Sequence, residues 1–302
     1  MLQNKQNKRG VLKAPLKYKI KVKEMPLFCC PKCREKLEIK ENTYVCENGH
    51  SFDKARQGYV NLLLPNKRHS SAPGDSREMI MSRRSFLESG KYDIFSDKLN
   101  SIVKQLSGDS QKMSIVDCGC GEGYYGGRLC ERLNKLKINY ELLGLDISKE
   151  AVKAAAGKYK QITFAVASNF DLPVKDNSTD IVLVIFSPRV ESEFYRILKT
   201  GGYLIYAVPG VRHLMGLKEA VYDKPYENTE KDTMYNGFEF VERYPVSGKI
   251  TVSGDEAVNL FKMTPYYYKT ELSAIDKIRL KEKIETEIQF DFLIYRKEEA
   301  EK

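Results

Sequence analysis

Residues 115–125 read Ile-Val-Asp-Cys-Gly-Cys-Gly-Glu-Gly-Tyr-Tyr. An apolar strand runs into an acid, Asp117, then into glycines at 119, 121 and 123, then into a helical segment from about Glu122. Few folds accommodate such a stretch. The glycines let the backbone turn tightly and approach a ligand closely, at the carboxyl end of a strand in an α/β sheet. A phosphate-binding loop would need Gly-Lys-Ser/Thr at its end, which is missing here. A dinucleotide fingerprint would need its third glycine one position later, where Tyr124 stands. Asp117, just ahead of the first glycine, would repel a pyrophosphate and attract a cationic amino acid. S-adenosylmethionine carries an ammonium and a sulfonium, so the pattern suits it. A second apolar strand, Leu142-Leu143-Gly144-Leu145, ends in Asp146, where related folds hydrogen-bond ribose hydroxyls.

From Met113 onward strand and helix alternate. Strands are expected near 113–118, 140–146, 161–167, 179–186 and 201–208, with helices over 122–134, 148–159 and 189–199. This is an α/β, doubly wound parallel sheet whose ligands bind beyond the strands' carboxyl ends. Ser168 and Asn169 follow the third strand, where an adenine edge would be read, and Phe186-Ser187-Pro188 lie at the end of the fourth. His213 falls beyond the fifth. Long strands over 238–252 and 285–296, around helices near 254–262 and 271–283, fit an antiparallel pair closing the sheet.

Ahead of this core, Cys30, Cys33, Cys46 and His50 give C-x2-C-x12-C-x3-H, a spacing that suits a tetrahedral structural zinc site. Strand-like Lys36–Ile39 and Thr43–Val45 between the pairs point to a β zinc ribbon. A unit of this size buries too little apolar surface to fold alone, so a metal staple makes physical sense. Cys29 is one residue off the spacing and reads as a bystander. The seven cysteines are odd in number and clustered, which argues against a disulfide framework.

The domain reading is therefore a basic tail over 1–24, expected to be disordered; a zinc ribbon over 25–65; a linker and helices over 66–110; and a donor-binding domain over 111–302. The formal charge of +9 is concentrated in the tail, which holds eight Lys/Arg and one Glu. That tail is a solvated segment or a phosphate-binding arm. After the polar stretch Pro65–Pro73, a helix is expected to start with Asp75 or Ser76 as N-cap and to close at Gly90, followed by a second over 92–106. Arg77, Arg83 and Arg84 on the first are expected to form one basic surface. No apolar run reaches membrane-spanning length and no signal peptide is evident, so a cytoplasmic protein without membrane contact is expected. A homodimer is compatible with the sequence.

The chain resembles the bacterial 23S ribosomal RNA (guanine-N1) methyltransferases. The resemblance runs from Phe28 onward. It rests on the ribbon spacing, Phe52–Leu63, Pro73-Gly74-Asp75-Ser76, Arg83-Arg84 with Phe86-Leu87, Asp117–Tyr125, Pro209-Gly210, Arg212-His213-Leu214, Asp255–Val258 and Met263-Thr264-Pro265. It implies a class I methyltransferase (Rossmann-like) fold, zinc on Cys30, Cys33, Cys46 and His50, and a methyl-donor site lined by Tyr92, Gly121, Glu122 and His213. Asp117, Gly119, Asp146, Ser168 and Asn169 complete the expected S-adenosylmethionine site. The implied reaction places a methyl on N1 of a guanine in a large-subunit rRNA hairpin loop. N1 lies on the Watson–Crick edge, so the base must be unpaired or extruded to react. Glu191 and His213 are candidate bases near the site, but no residue is assigned as the catalytic one. The competing readings are a methyltransferase for a small molecule and a non-catalytic zinc-dependent RNA-binding protein.

Overall fold

The computed structural model describes residues 27–67, 74–108, 112–230, 233–264, 266–267, 270 and 272–299. The basic tail over 1–24 and residues 68–73 of the expected linker lie outside them.

Three short strands, β1 (Glu38–Lys40), β2 (Thr43–Val45) and β3 (Ser51–Asp53), form an antiparallel sheet around the cysteines, as expected of a ribbon. The main sheet contains β4 (Val60–Asn61), β5 (Met113–Cys118), β6 (Tyr140–Asp146), β7 (Thr163–Val166), β8 (Thr179–Ile185), β9 (Leu198–Pro209), β10 (Phe238–Val252) and β11 (Ile284–Lys297). Their order is β10-β11-β9-β8-β5-β6-β7-β4. Strands β4 to β9 pair in parallel, whereas β11 is antiparallel to β9 and β10 antiparallel to β11. The near-continuous apolar runs of β5 and β8 fit strands covered on both faces. The chain leaves β5 in one direction for β6 and β7 and returns on its other side with β8. The switch point therefore lies at the carboxyl ends of β5 and β8.

Helices α1 (Arg77–Leu87) and α2 (Asp93–Leu106) precede β5, and α3 (Tyr124–Lys135), α4 (Lys149–Lys158) and α5 (Glu191–Ile197) alternate with the parallel strands. Helices α6 (Met215–Val221), α7 (Gly254–Lys262) and α8 (Leu272–Leu280) complete the set among the described residues. Ser76 is the N-cap of α1, its hydroxyl accepting from the Met79 amide at 3.3 Å. Helix α3 starts two residues later than expected, because Gly123 caps it in a left-handed conformation (φ 84°). The fifth parallel strand is longer than expected, Leu198–Pro209; it pairs with β8 from Leu198 onward and with β11 over Tyr203 to Pro209.

Val60 and Asn61, just beyond the ribbon, pair with Ala165 and Val166 as the edge strand of the main sheet. Leu62 continues the contact, its amide donating to the Val166 carbonyl at 3.0 Å. Phe28 and Cys29 pair with the 173–174 segment, and Arg34 donates to the Leu172 carbonyl at 2.6 Å. Phe28, Leu37 and Tyr44 of the ribbon sit in the same buried cluster as Val116, Leu143 and Val182 of the sheet. Apolar burial, not the metal alone, thus joins the two parts.

Candidate active site

Each of the three loop glycines has positive φ: Gly119 at 91°, Gly121 at 55° and Gly123 at 84°. At Gly119 the space matters as well, since a Cβ there would run into the Ser187 side chain at the end of β8. The loop thus bends under the ends of β5 and β8 and leaves a cavity of about 650 Å³ above it, a size suited to a small-molecule ligand. Tyr92, Asp117, Gly119, Gly121, Glu122, Asp146, Ser168, Asn169 and His213 all line this one cavity. These residues come from segments as far apart as 92 and 213, so the fold brings them together.

Asp117 is the most telling wall residue. It is 2 % exposed, and its Oδ1 has no hydrogen-bond partner among the described residues. Burial, and then the charge of Asp146, push its carboxyl up to about 7. A buried carboxylate without a partner is costly unless a cation or donor meets it. An ammonium such as that of a methionine moiety supplies both, so this wall fits S-adenosylmethionine. Asp146 has a different role. Its Oδ2 accepts from the Gly121 amide at 2.9 Å and its Oδ1 from the Ser148 amide at 2.8 Å, which clips the glycine loop to the end of β6. A carboxylate has about four acceptor positions, so two remain for ribose hydroxyls.

Glu122 is buried, with its Oε2 accepting from Arg84 Nε at 3.0 Å. Its Oε1 and Arg84 Nη2 have no partners among the described residues. Arg83 is paired with Asp75, and both line the cavity. The expected basic surface on α1 is therefore corrected: Arg83 and Arg84 are committed to acids of the pocket wall, and Arg77 alone of the three is exposed and without an ion pair among the described residues. What α1 contributes is a wall over the donor pocket. Gly74 (φ 84°) packs against Ser148, whose hydroxyl donates to the Asp75 carbonyl at 2.9 Å. Gly-Asp-Ser is visible in the sequence as a helix start, but its contact with the end of β6 is a long-range fact that no local pattern carries.

His213 is buried, and its Nδ1 accepts from the Gln289 amide at 3.2 Å. That bond assigns the ring proton to Nε2, which faces the Tyr92 hydroxyl at 3.4 Å. Burial, followed by the nearby Lys218 charge, drives its pKa down to about 3. With Nδ1 occupied and Nε2 protonated, His213 is a neutral donor and not a general base. Glu191 does not line the cavity; it pairs with Arg189 at 2.5 Å. Both base candidates thus fail on geometry. The C-terminal part adds wall residues: Leu260 and Tyr266, unmarked in the sequence, and Met263 and Thr264, which belong to a motif of the resemblance without an assigned role.

At the ribbon, the ligand atoms of Cys30, Cys33, Cys46 and His50 all lie within 4.8 Å of one another. Cys33 and Cys46 Sγ are 3.7 Å apart, and His50 Nδ1 is 3.5 Å from each of the three sulfurs. Ideal tetrahedral zinc, with the usual Zn–S and Zn–N lengths, requires edges of about 3.8 Å and about 3.5 Å respectively. The four residues fit zinc through Nδ1, leave no open position, and make the site structural. Cys29 stays outside it, as expected.

Residues 109–269 match a family described as a methyltransferase domain, and residues 28–71 match a zinc-ribbon family described as RlmA, N-terminal. The 23S rRNA (guanine(748)-N(1))-methyltransferase of Streptomyces fradiae is 37 % identical over 64 % of this chain and 66 % of its own length. Two proteins bear the name "Putative 23S rRNA (guanine-N(1)-)-methyltransferase". That of Micromonospora griseorubida is 30 % identical over 82 % of this chain and 88 % of its own length. That of Bacillus subtilis is 28 % identical over 90 % and 97 %. The chain belongs to the 23S rRNA guanine-N1 methyltransferase family. It is a methyltransferase that uses S-adenosylmethionine, and its ribbon is a zinc site. Among the described residues, no helix is long and apolar enough to cross a membrane.

Proposed function

We propose that this enzyme transfers a methyl group from S-adenosylmethionine to N1 of a guanine in a hairpin loop of 23S rRNA, in the cytoplasm. The observation that carries the donor half is the buried Asp117 carboxyl beneath the glycine loop; its Oδ1 has no hydrogen-bond partner among the described residues. The substrate half is supported by the family and by a zinc ribbon packed beside the cavity-forming sheet. S-adenosylmethionine supplies an electrophilic methyl on a sulfonium. In this reading Asp117 holds its ammonium, Asp146 its ribose, and Ser168 and Asn169 the adenine edge. Tyr92 and His213 close the wall, and Glu122, held by Arg84, completes the first turn of the pocket.

In the transfer the N1–C bond forms as the S–C bond breaks, the bonding pair returns to sulfur, and the N1 proton leaves. Among the acids that line the cavity, Asp75 is paired with Arg83, Asp146 accepts from two amides, Asp117 is assigned to the donor's ammonium, and Glu122 accepts from Arg84 on Oε2 and has no partner on Oε1 among the described residues. His213 is occupied on both nitrogens. In this reading the proton passes to solvent, and the protein's contribution is orientation and proximity.

An N1 methyl blocks Watson–Crick pairing, so reverse transcriptase stops one nucleotide before it. Large-subunit rRNA from cells lacking the gene, incubated with purified protein and S-adenosylmethionine, is expected to gain one such stop and N1-methylguanine by mass spectrometry. Absence of both would overturn this reading.

A further inference from the structure

Six non-glycine residues among those described have positive φ: Arg34, Glu41, Lys137, Asn177, Phe186 and Leu214. Only Phe186 (φ 52°) and Leu214 line the cavity. Leu214 is 1 % exposed and fills core, whereas Phe186 is 46 % exposed. A bulky aromatic residue in the left-handed region is energetically unfavourable, and such outliers persist where the surroundings over-determine them. Here the surroundings do. The Phe186 amide donates to the Ala207 carbonyl at 3.3 Å. The next residue is bolted down, with Ser187 Oγ donating to the Cys118 carbonyl at 2.5 Å and accepting from Asn169 Nδ2 at 3.5 Å. Since Cys118 leads directly into the glycine loop, the Phe186 ring is fixed relative to the donor site.

The ring has a backed side and an open side. Its centroid is 5.3 Å from that of Phe95 and 5.6 Å from that of Phe290, both buried at 1 % or less and 4.8 Å from each other. That aromatic stack cannot yield without disturbing the core. The rest of the ring faces the cavity. An apolar ring exposed at the rim of an otherwise polar loop, held there against its backbone preference, is suited to bind a flat partner by its face. Bases extruded from RNA are recognised by such stacking.

We propose that Phe186 is the stacking platform for the target guanine, fixing the plane of the extruded base so that N1 points at the donor methyl. This rests on the function proposed above and adds the residue that positions the substrate. Phe186 takes no part in proton or methyl movement; its effect is on how often the base is presented correctly.

The protein contains no tryptophan, so Phe186→Trp installs both a conservative replacement and a unique fluorophore. Three proteins are compared: wild type, F186A and F186W, on unmodified large-subunit rRNA. F186A is expected to lose at least tenfold in kcat/KM, with S-adenosylhomocysteine affinity by calorimetry within twofold of wild type. F186W should restore most of that loss, and its emission should be quenched by unmodified rRNA in the presence of S-adenosylhomocysteine. Wild-type rates in F186A, an equal loss of cofactor affinity, or unquenched emission on bound rRNA would each overturn the platform while leaving the methylation assignment intact. If wild type itself forms no N1-methylguanine, the assignment fails and the platform falls with it.

Discussion

Asp117 joins two properties that pull against each other: a site where a carboxylate is poorly solvated and a ligand that needs it charged. Its carboxyl, pushed up to about 7 by burial and then by Asp146, makes donor affinity pH-dependent. The sign follows from linkage. The folded pKa lies above the ordinary carboxylate value, so the free protein's stability from this group is fully present below about pH 4 and is lost as pH rises through about 7. Donor binding needs the ionised form and therefore strengthens over that same upper window. Calorimetric titration with S-adenosylhomocysteine from pH 6 to pH 8 should show affinity rising and then levelling off. Asp117→Asn should flatten the profile and cost about 2–5 kcal/mol of binding, since it leaves a buried ammonium unpaired. His213 behaves in the opposite way. Its pKa near 3 and its engaged Nδ1 keep it neutral throughout this range. His213→Phe, which removes the bonds to Tyr92 and to the Gln289 amide but keeps a ring, should lower turnover roughly thirtyfold, as expected for two lost hydrogen bonds of about 1 kcal/mol each. The shape of the pH–rate profile should not change; loss of a limb near pH 6–7 would make His213 the base after all.

The glycine loop shows at the scale of an element how space and backbone angle act separately. At Gly119 both forbid a side chain: φ is 91° and the Ser187 side chain occupies the Cβ position. At Gly121 φ is 55°, in the left-handed region that side chains adopt only at a cost, but there is room: the nearest neighbour to a Cβ is the Arg83 guanidinium at 3.6 Å. Gly119→Ala should therefore destabilise the protein by more than about 1 kcal/mol in thermal denaturation and sharply weaken donor binding, and Gly121→Ala should do less of both. Equal effects would mean that only the angles matter. This loop, the strands that flank it and both carboxylates were legible in the sequence, because strand, acid and glycines are adjacent there. The four ligands of the ribbon were legible for the same reason, being set by spacing. The α1 segment was not. Its arginines look like a basic face in one dimension, and the acids that claim them, Asp75 and Glu122, are recognised only once α1 lies over the ends of β5 and β6. His213 was found but its chemistry was not, since the Gln289 amide that fixes its tautomer is 76 residues away. Phe186 reads as the last residue of a strand, which in fact ends at Ile185, and its left-handed backbone has no sequence signature.

Across the whole molecule the ribbon and the donor-binding sheet are one body of packing. Strand β4 covers the outer edge of β7, and Phe28, Leu37 and Tyr44 share a buried cluster with the central strands. Structural zinc contributes about 10–16 kcal/mol in finger-sized units. Here part of that free energy is expected to support the sheet as well. Cys46→Ala, or removal of the metal with a chelator, should lower the melting temperature of the entire protein in a single transition, followed by calorimetry and far-UV circular dichroism together. Two separate transitions, with the donor site intact in the lower one, would show that the ribbon unfolds independently. The chain matches two distinct families, one over residues 28–71 and one over 109–269. The packing nevertheless runs across the two matched segments. A chimera that exchanged only the metal-binding loop through His50 would leave Val60 to Leu62 on the edge of a foreign partner's sheet. A viable graft has to carry the chain through Leu63, so that the donor half arrives with the strand that finishes it.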